Sequence, residues 1–503
     1  MQNESHEPKA AQSVFNMDQL TQSSFYKLLL KALMCQCIYY LPAMFVIHQE
    51  QYILTSLKGY DHIKNCIKIF PIIFFAGYEL PEFFEQYFAN QKMATYANGN
   101  SVPEQLRIEF ITNMIYVLIL IVLPAIQSYL FSIMQVENDY RARYLLSTVL
   151  GLIGPFRSTI YSLFSYKQQY TYILSGKIVT LMLQFFLFTF IYSFYTREDG
   201  AIIDVWPSGF AKPFAEILVY TVIMITLYKG TIFSTRIHLD ADQSTKISIK
   251  PQKKDWKPVF KNVGMMFPYA IYYLSRPIVY LTAIHQILSL TDASKKEQIN
   301  IDIYIYMFCQ LTLSMISKGA QAAIMTVIPI LFHTKHYSKM RAILSYGTIA
   351  GLVITEALCI LIVMKPEIIF QIVFCRFTDT KLQTYYENGS YKNFLTQTAL
   401  WFGTDSIQSA PISFSILTGG FYVPLIMGAL RIAGGIYFCV QIQTALGQNA
   451  DYTDVFMYFE IVCFIVGAVF CACMYLTIFT EYKVAKKKEE KKKTDKVDEF
   501  MVK

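Results

Sequence analysis

Twelve stretches of this chain are almost continuously apolar, and each approaches the roughly 20 residues that a helix needs to cross a bilayer. Six of them precede a basic linker at residues 234–258, and six follow it. The pattern predicts an all-α integral membrane protein whose twelve transmembrane helices form two pseudo-symmetric six-helix bundles. The predicted helices span residues 26–48, 66–90, 109–134, 144–166, 172–195, 211–233, 259–288, 303–332, 341–364, 394–418, 421–446 and 453–480.

Polar segments flank and separate the two predicted bundles. The leader lacks the apolar core of a cleaved signal peptide, so we expect it to stay on the protein. The expected parts are an N-terminal cytoplasmic segment (1–25), a first bundle (26–233), the basic cytoplasmic linker (234–258), a second bundle (259–480) and a Lys-rich cytoplasmic tail (481–503).

Composition indicates the same class, because 54% of the 503 residues are apolar, 16% are charged and the mean hydropathy is +0.35. A soluble protein needs more charge on its surface. The chain has a net charge of +8, but nine of its lysines lie in the last 21 residues, which predicts a solvated tail and no nucleic-acid partner. We expect the lipid bilayer and a small-molecule substrate as partners, a monomer as the working unit, and cysteines that pack within helices without binding metal.

Basic residues are unevenly distributed among the loops, and the cytoplasmic side of a membrane retains them. The 234–258 linker and the 333–341 loop are basic, whereas the 196–208 and 447–454 loops are acidic. The pattern predicts a multi-pass protein of the plasma membrane or an endomembrane, with both termini in the cytoplasm. Asn388-Gly-Ser390 then lies outside, as a candidate glycosylation site in a eukaryote.

The two halves are similar in layout, which in membrane transporters places the substrate path at their interface. Residues 85–92 align with residues 328–335; in both places an apolar run with an internal proline ends in a short polar turn and a lysine. The fourth apolar segment aligns with the tenth, with Ser158 over Ser409. Chance similarity between apolar helices is the alternative.

Two stretches of the second half carry more specific motifs. Residues 318–341 begin with Lys-Gly-Ala-Gln-Ala-Ala, continue as an apolar run and end in a basic loop. Residues 405–420 contain Asp-Ser-Ile-Gln, then Ser409 and Pro411, and end in a Gly-Gly turn. These stretches resemble the eighth and tenth helices of the multidrug and toxic compound extrusion (MATE) transporters, of the multidrug/oligosaccharidyl-lipid/polysaccharide (MOP) flippase superfamily.

The resemblance implies two six-helix bundles that face each other across a V-shaped cleft and expose it alternately to the two sides of the membrane. Lipid flippases and lipid-linked oligosaccharide flippases share this fold. The fold therefore does not select the cargo.

Acidic side chains inside apolar segments need a cavity, a partner or a function, because each costs roughly 2.5–3.5 kcal/mol near the bilayer centre. We expect Asp405 to exchange a proton or a sodium ion for a cationic cargo, with Gln408 orienting its carboxyl group. The alternative is a carboxyl group bonded permanently to a neighbouring helix. Glu79 and Glu82 share one helix flank and are expected to help bind the cation, unless the helix ends near residue 80 and leaves them in water.

Two arginines also lie inside apolar segments, Arg157 in the fourth and Arg276 in the seventh. If both face inward they line opposite bundles, and guanidinium groups in a cleft suit phosphate or carboxylate better than an organic cation. The alternative is that each arginine pairs with one of the intramembrane acids, for example Arg276 with Asp405.

No phosphate-binding loop, zinc-protease motif or other catalytic constellation is found, which argues against an enzyme and against direct use of ATP. The leading hypothesis is a secondary antiporter without cofactors that exports organic, cationic or amphipathic compounds in exchange for H⁺ or Na⁺. The competing hypothesis is a flippase that binds a lipid phosphate through Arg157 and Arg276. A scaffold or receptor built on a transporter fold is the third.

Overall fold

The computed structural model describes residues 23–74, 79–97, 102–150, 154–166, 170–195, 204–229, 251–333, 335–374, 380–401, 403–446 and 452–501. Within these ranges the chain forms α-helices and short 3-10 turns, without a β-strand. The first half contains α1 (Ser23–Lys58), α2 (Tyr60–Phe74), α3 (Leu80–Ala97), α4 (Val102–Leu120), α5 (Leu123–Ile133), α6 (Asn138–Leu150), α7 (Gly154–Tyr166), α8 (Tyr170–Tyr195) and α9 (Ala211–Lys229). The second half contains α10 (Trp256–Leu290), α11 (Ala293–His333), α12 (Tyr337–Met364), α13 (Pro366–Phe374), α14 (Thr380–Asn388), α15 (Ser390–Thr398), α16 (Thr404–Thr418), α17 (Tyr422–Leu446) and α18 (Thr453–Met501).

Within the described ranges, every predicted apolar segment lies on one helix or on two consecutive helices. The second, third, fourth and tenth segments correspond to the pairs α2–α3, α4–α5, α6–α7 and α15–α16, and residues 75–78 and 151–153 of the second and fourth lie outside the described ranges. The predicted Lys-rich tail continues α18 as a helix up to Met501, whereas residues 1–22 and 230–250, which hold most of the predicted leader and linker, lie outside the described ranges.

Proline accounts for the break between α4 and α5, which lies at residues 121–122. Pro124 is the second residue of α5. Proline lacks a backbone N–H and fits the first turn of a helix, where that donor has no intrahelical partner. The same residue inside a longer helix would remove a backbone hydrogen bond, so the chain restarts its helix there.

Six stretches of the described residues are long and apolar enough to cross a membrane, judged by length and composition: residues 104–133, 172–194, 295–333, 337–364, 422–442 and 453–483. Other predicted spans are described as shorter helices, such as the 15-residue α2. Large apolar side chains cover the outer surface, for example Leu118, Phe194 and Leu476, which are 65%, 68% and 67% exposed. Such a surface is stable where lipid surrounds it.

The two halves pack against each other mainly through α10 and α11. Helix α11 contacts α1, α2 and α3 of the first half, and α10 contacts α2 and α4. Within the halves, α3 packs on α7, α8 on α9, α10 on α17, and α16 on α18. Helices α10 and α11 therefore form the second half's side of the interface between the two halves.

One end of the interface is closed beside residues 251–262, and we call it the linker end. The guanidinium of Arg107 on α4 donates two hydrogen bonds to Asp255, at 2.8 and 2.9 Å. The hydroxyl of Tyr87 on α3 donates to the Asn262 side-chain oxygen at 3.0 Å. These bonds join the first half to the start of α10.

The opposite end carries residues 366–398, and we call it the loop end. There the side chains of Thr55 and Tyr304 are hydrogen-bonded at 3.0 Å, and the Asn300 amide donates to the Tyr60 hydroxyl at 2.6 Å. Both pairs cross from one half to the other. The V-shaped cleft implied by the resemblance is thus not open in this conformation, because contacts join the halves at both ends.

Candidate functional site: a charged cavity between the two halves

Two adjoining cavities lie between the ends, and both are lined by Glu79 and Arg276. Their volumes are about 50 and 40 Å³, which is room for a few water molecules and not for an organic compound. We call them together the central cavity. Its other lining residues are Phe70, Pro71, Tyr272, Tyr273, Pro277, Tyr280, Met307, Gln310, Leu311, Ser314, Ser317, Lys318, Gln321, Ser409 and Arg431.

Arg276 of α10 enters the central cavity with its charge balanced from behind by Glu460 of α18. The guanidinium donates to both carboxylate oxygens, at 2.8 and 3.2 Å. The hydroxyls of Tyr280 and Tyr306 donate to the same carboxylate at 2.8 and 2.5 Å, and Glu460 is fully buried. In this conformation Arg276 pairs with Glu460. The Asp405 side chain lies outside the described part of the structure, so its pairing with Arg276 stays a prediction.

Glu79 lies immediately before α3 and is bonded across the interface to Lys318 of α11. The Lys318 ammonium donates to the Glu79 carboxylate at 2.7 Å, and the two side chains are 12% and 15% exposed. Glu79 is thus inside the molecule and not in bulk water. Because one partner belongs to each half, any separation of the halves at this level must break this ion pair.

Arg431 of α17 adds a third cation to the lining. Its side chain is 3% exposed, and its guanidinium lies 4.9 Å from the centre of the Tyr272 ring. Its Nε also donates to the Cys463 sulfur at 3.3 Å. Among the described charged residues, three cations line the cavity against one acid, Glu79, with Glu460 directly behind.

Glu460, Arg431 and Lys318 were not predicted as site residues from the sequence. Glu460 and Arg431 each lie within an apolar segment, and that same signal had pointed to Asp405 and Arg276. Lys318 opens the motif that carried the family resemblance. The cost of burying a charge singles out all of these positions equally, so only tertiary contacts separate a cavity residue from a packing residue.

Asp405 is the second residue of α16, directly after the break in the tenth segment. The side chains of Asp405 and Glu82 lie outside the described part of the structure, so their predicted roles stay predictions. The Gln408 amide is fully buried and accepts from the Tyr272 hydroxyl while donating to the Cys463 carbonyl, both at 2.8 Å. Gln408 therefore ties α16 to α10 and α18.

Arg157 lies away from the central cavity, inside the first half. Its guanidinium on α7 donates to Glu216 of α9 at 2.5 Å. The first half contains further buried ion pairs, between Lys177 and Glu85 at 3.1 Å and between Lys92 and Glu109. Of the two arginines expected to line the path, only Arg276 reaches the cavity in this conformation.

The overall architecture matches solved membrane transporters. A multidrug resistance MATE transporter of the MOP superfamily, in an outward-facing conformation, superposes with a TM-score of 0.68 at 13% identity, covering 92% of this chain and 98% of that chain. A MOP superfamily transporter from Pyrococcus furiosus gives 0.69 at 12% identity, with 90% and 96% covered. A variant of a Vibrio cholerae MATE transporter gives 0.65 at 13% identity, with 92% and 99% covered.

No protein-family model matches the sequence, and no curated protein sequence matches it. The apolar helices and the superpositions define a multi-pass integral membrane protein built from two six-helix bundles. Its fold is that of the MATE transporters of the MOP superfamily, as the motifs of the second half had predicted.

Proposed function

We propose that this chain is a secondary transporter that carries amphipathic molecules with an anionic head group, a phosphate or a carboxylate, by alternating access. The observation that carries the proposal is the set of three cations, Arg276, Lys318 and Arg431, that line the central cavity together with Glu79. A guanidinium presents paired N–H donors that match phosphate and carboxylate oxygens.

The ion pair between Glu79 and Lys318 supplies a link between binding and movement. A ligand shifts a conformational equilibrium only by binding one state better than another. In this conformation the Lys318 ammonium lies 2.7 Å from the Glu79 carboxylate of the other half. An anionic head group that takes the place of Glu79 at Lys318 would remove this bond between the halves. Cargo binding would then favour states in which the halves separate, and release would restore the closed contact.

Structural neighbours give the proposal a precedent for varied pockets on this fold. The Pyrococcus furiosus transporter is described as having a binding pocket of reverse polarity that suggests a different function. In this chain too, the charges of the cavity would select the charge of the cargo, because a buried like charge is costly.

Export of organic cations in exchange for H⁺ or Na⁺ is the second candidate. The Glu79 carboxylate at the cavity favours it, and one neighbour is described as a multidrug resistance transporter. In this case Asp405 would be the coupling carboxylate, with Glu79 and Glu82 as further ligands. The basic loops at the linker end would face the cytoplasm in either case.

The test uses the full chain reconstituted in proteoliposomes. Translocation of a fluorescent phospholipid is measured by dithionite quenching in the parent, in Arg276→Lys and Arg431→Gln, and in the matched control Lys261→Gln. Lys261 is an exposed cation on the same helix as Arg276. Arg276→Lys keeps a cation beside Glu460 but removes the paired N–H donors of the guanidinium. The substitution therefore tests head-group binding while the charge balance stays the same.

We expect both cavity variants to lose at least about tenfold in rate, equivalent to about 1.4 kcal/mol, with Lys261→Gln unchanged. A parallel assay follows efflux of ethidium under imposed proton or sodium gradients, in the parent and in Asp405→Asn. Gradient-driven ethidium efflux that Asp405→Asn abolishes, together with no lipid translocation by the parent, would overturn the proposal in favour of cation antiport.

A further inference from the structure

The two parts of the central cavity lie at different depths along the interface. One part is lined by Tyr272 and Gln321, and the other by Tyr280 and Met307. Helix α10 runs from the linker end to the loop end, and α11 runs in the opposite direction. Both helices therefore place the first part nearer to the linker end, and we call it the linker-side chamber. The second part is the loop-side chamber. From Tyr272 to Tyr280, α10 rises roughly 12 Å.

The linker-side chamber is polar throughout. Each of its described lining residues carries a charge, an amide or a hydroxyl group. Arg276, Lys318 and Arg431 supply cations, and side chains such as Gln321 supply neutral donors beside them. Except for Glu79, these lining residues lie on α10, α11, α16 and α17 of the second half. One half of the molecule thus brings together the donors that a phosphate or carboxylate binds.

The loop-side chamber continues from these charges into apolar surface. Glu79 and Arg276 line both chambers and so mark the junction between them. Beyond the junction the loop-side chamber is lined by Phe70, Met307 and Leu311, together with two prolines. Burial against such side chains favours hydrocarbon.

The polar groups of the loop-side chamber are turned toward partners in the protein. The Tyr280 hydroxyl accepts from Arg276 at 2.9 Å and donates to Glu460 at 2.8 Å. The Gln310 amide, with its oxygen toward Arg276, accepts a hydrogen bond from the guanidinium at 3.2 Å. The Ser314 hydroxyl donates to a carbonyl of its own helix at 2.9 Å. These bonds leave the apolar side chains to contact the occupant.

We propose that the cargo binds in one orientation, with its anionic head group in the linker-side chamber and its hydrocarbon tail extending through the loop-side chamber toward the loop end. The inference rests on the proposed function and adds the direction of the cargo. The reverse orientation would place hydrocarbon against Lys318 and Arg431 and an anion against Phe70 and Met307, and burial of an anion without donors is costly.

Movement of the halves fits this arrangement. Both chambers are bounded by residues of both halves, so separation of the halves widens them, whereas the three cations of the second half stay together. A lipid in the leaflet at the linker end already has its head group at that end of the membrane. It therefore enters in the proposed orientation without turning over.

The first test locates the two ends of a bound amphiphile on the parent chain in nanodiscs of phosphatidylcholine. Two photoreactive forms of dodecyl phosphate are used, one with a diazirine at the end of the tail and one with a diazirine next to the phosphate. Peptide mass spectrometry identifies the labelled residues after photolysis. Label counts only where an excess of plain dodecyl phosphate removes it, because helices that face lipid are also labelled.

We expect the tail probe to label the peptides of Phe70, Met307 and Leu311 at least about fivefold more than those of Gln321 and Arg431, and the head probe to show the opposite preference. Equal or reversed preferences would overturn the orientation and leave the proposed function in place. A parent without saturable binding of dodecyl phosphate would overturn the proposed function, and the orientation with it.

The second test separates head from tail by substitution, with binding of dodecyl phosphate and butyl phosphate measured in the same nanodiscs. Met307→Trp narrows the loop-side chamber, and Ile278→Trp places the same ring at a position that is 39% exposed on α10 as its control. Arg431→Gln removes a cation of the linker-side chamber. Each variant is compared with the parent for the same ligand, so partition of the ligand into the bilayer cancels.

Met307→Trp is expected to weaken binding of dodecyl phosphate at least about fivefold and to leave butyl phosphate unchanged, whereas Ile278→Trp changes neither. Arg431→Gln should weaken both ligands by the same factor, because both carry the head group. Equal loss of both ligands in Met307→Trp, or no loss of either, would overturn the placement of the tail. Displacement of dodecyl phosphate by inorganic phosphate at equal concentration would show a site for the free anion, and would overturn the tail contact.

Discussion

The guanidinium of Arg276 and the carboxylate of Glu460 are joined by two hydrogen bonds between α10 and α18, on the wall of the central cavity. Removal of one partner of a buried ion pair leaves the other charge uncompensated and costs about 3–5 kcal/mol. Glu460→Gln is therefore expected to lower the free energy of unfolding by about 3 kcal/mol. The double variant Arg276→Gln/Glu460→Gln is expected to be more stable than that single variant. Thermal unfolding in detergent measures both, and strictly additive losses would contradict the coupling.

A close approach between α17 and α10 fixes the position of Tyr272, which holds Gln408. A Cβ atom at Gly428 would lie 2.9 Å from the Tyr272 Cα and 3.0 Å from its backbone nitrogen, whereas nothing lies within 4 Å of the same atom at Gly264. Gly428→Ala is expected to destabilise the protein by about 1–3 kcal/mol through overpacking. Gly264→Ala, in α10, is expected to stabilise it by about 0.5 kcal/mol. Equal melting temperatures for the two variants would show that the helices can separate freely.

The bond between Arg107 and Asp255 at the linker end should make stability depend on pH. The hydrogen bonds donated by Arg107 hold the pKa of Asp255 below its ordinary value. A carboxyl group of lowered pKa stabilises the fold fully above its ordinary pKa of about 4, and the contribution disappears as the pH falls through the lowered value. The parent should therefore exceed Asp255→Asn by about 1.5 kcal/mol at neutral pH.

That difference in stability should be constant from pH 8 to about pH 5 and shrink below about pH 4. Melting temperatures of the two proteins across this range provide the measurement. A difference that does not change with pH would mean that the charge of Asp255 contributes nothing and that its size and shape alone matter.

Asn388 at the loop end reports the orientation in the membrane. It is exposed at the end of α14, and Gly389 follows it with a φ of +67°, a backbone conformation that glycine adopts without strain. If the loop end is extracytoplasmic, expression in eukaryotic cells should attach a glycan that peptide-N-glycosidase removes and that Asn388→Gln prevents. A cysteine substituted at exposed Lys381 and labelled by an impermeant maleimide from the cytoplasmic side would contradict this orientation.

The course of the helices was predictable from sequence to a large extent, because it depends on local properties. The apolar runs predicted each of the six stretches of the described residues that are long enough to cross a membrane, and the Asp-Ser-Ile-Gln motif that begins at Asp405 indicated the fold. The GxxxG spacing of Gly347 and Gly351 is typical of helices that pack closely. Such packing is observed. A Cβ atom added at Gly347 would clash with the Ile324 side chain, and one added at Gly351 would lie 3.7 Å from the Cβ atoms of Ala320 and Ser406.

The helix breaks were less predictable than the spans. Pro124 stands at the start of α5, after a break, whereas Pro268 and Pro277 lie inside the continuous α10. A proline supplies the same local restriction in all three places. Neighbouring helices decide whether the backbone groups it frees find other partners, and a single chain segment does not contain that information.

The sequence by itself determined that this is an all-helical membrane protein with two similar halves, because hydrophobic length and the cost of unpaired backbone groups in lipid leave few alternatives. Only the tertiary structure decided which charges meet. Arg276 binds Glu460 and Arg157 binds Glu216, although other intramembrane acids were available to both in sequence. The reason is that an ion pair acts over a few ångströms, and residues separated by 184 positions along the chain reach that distance only through packing.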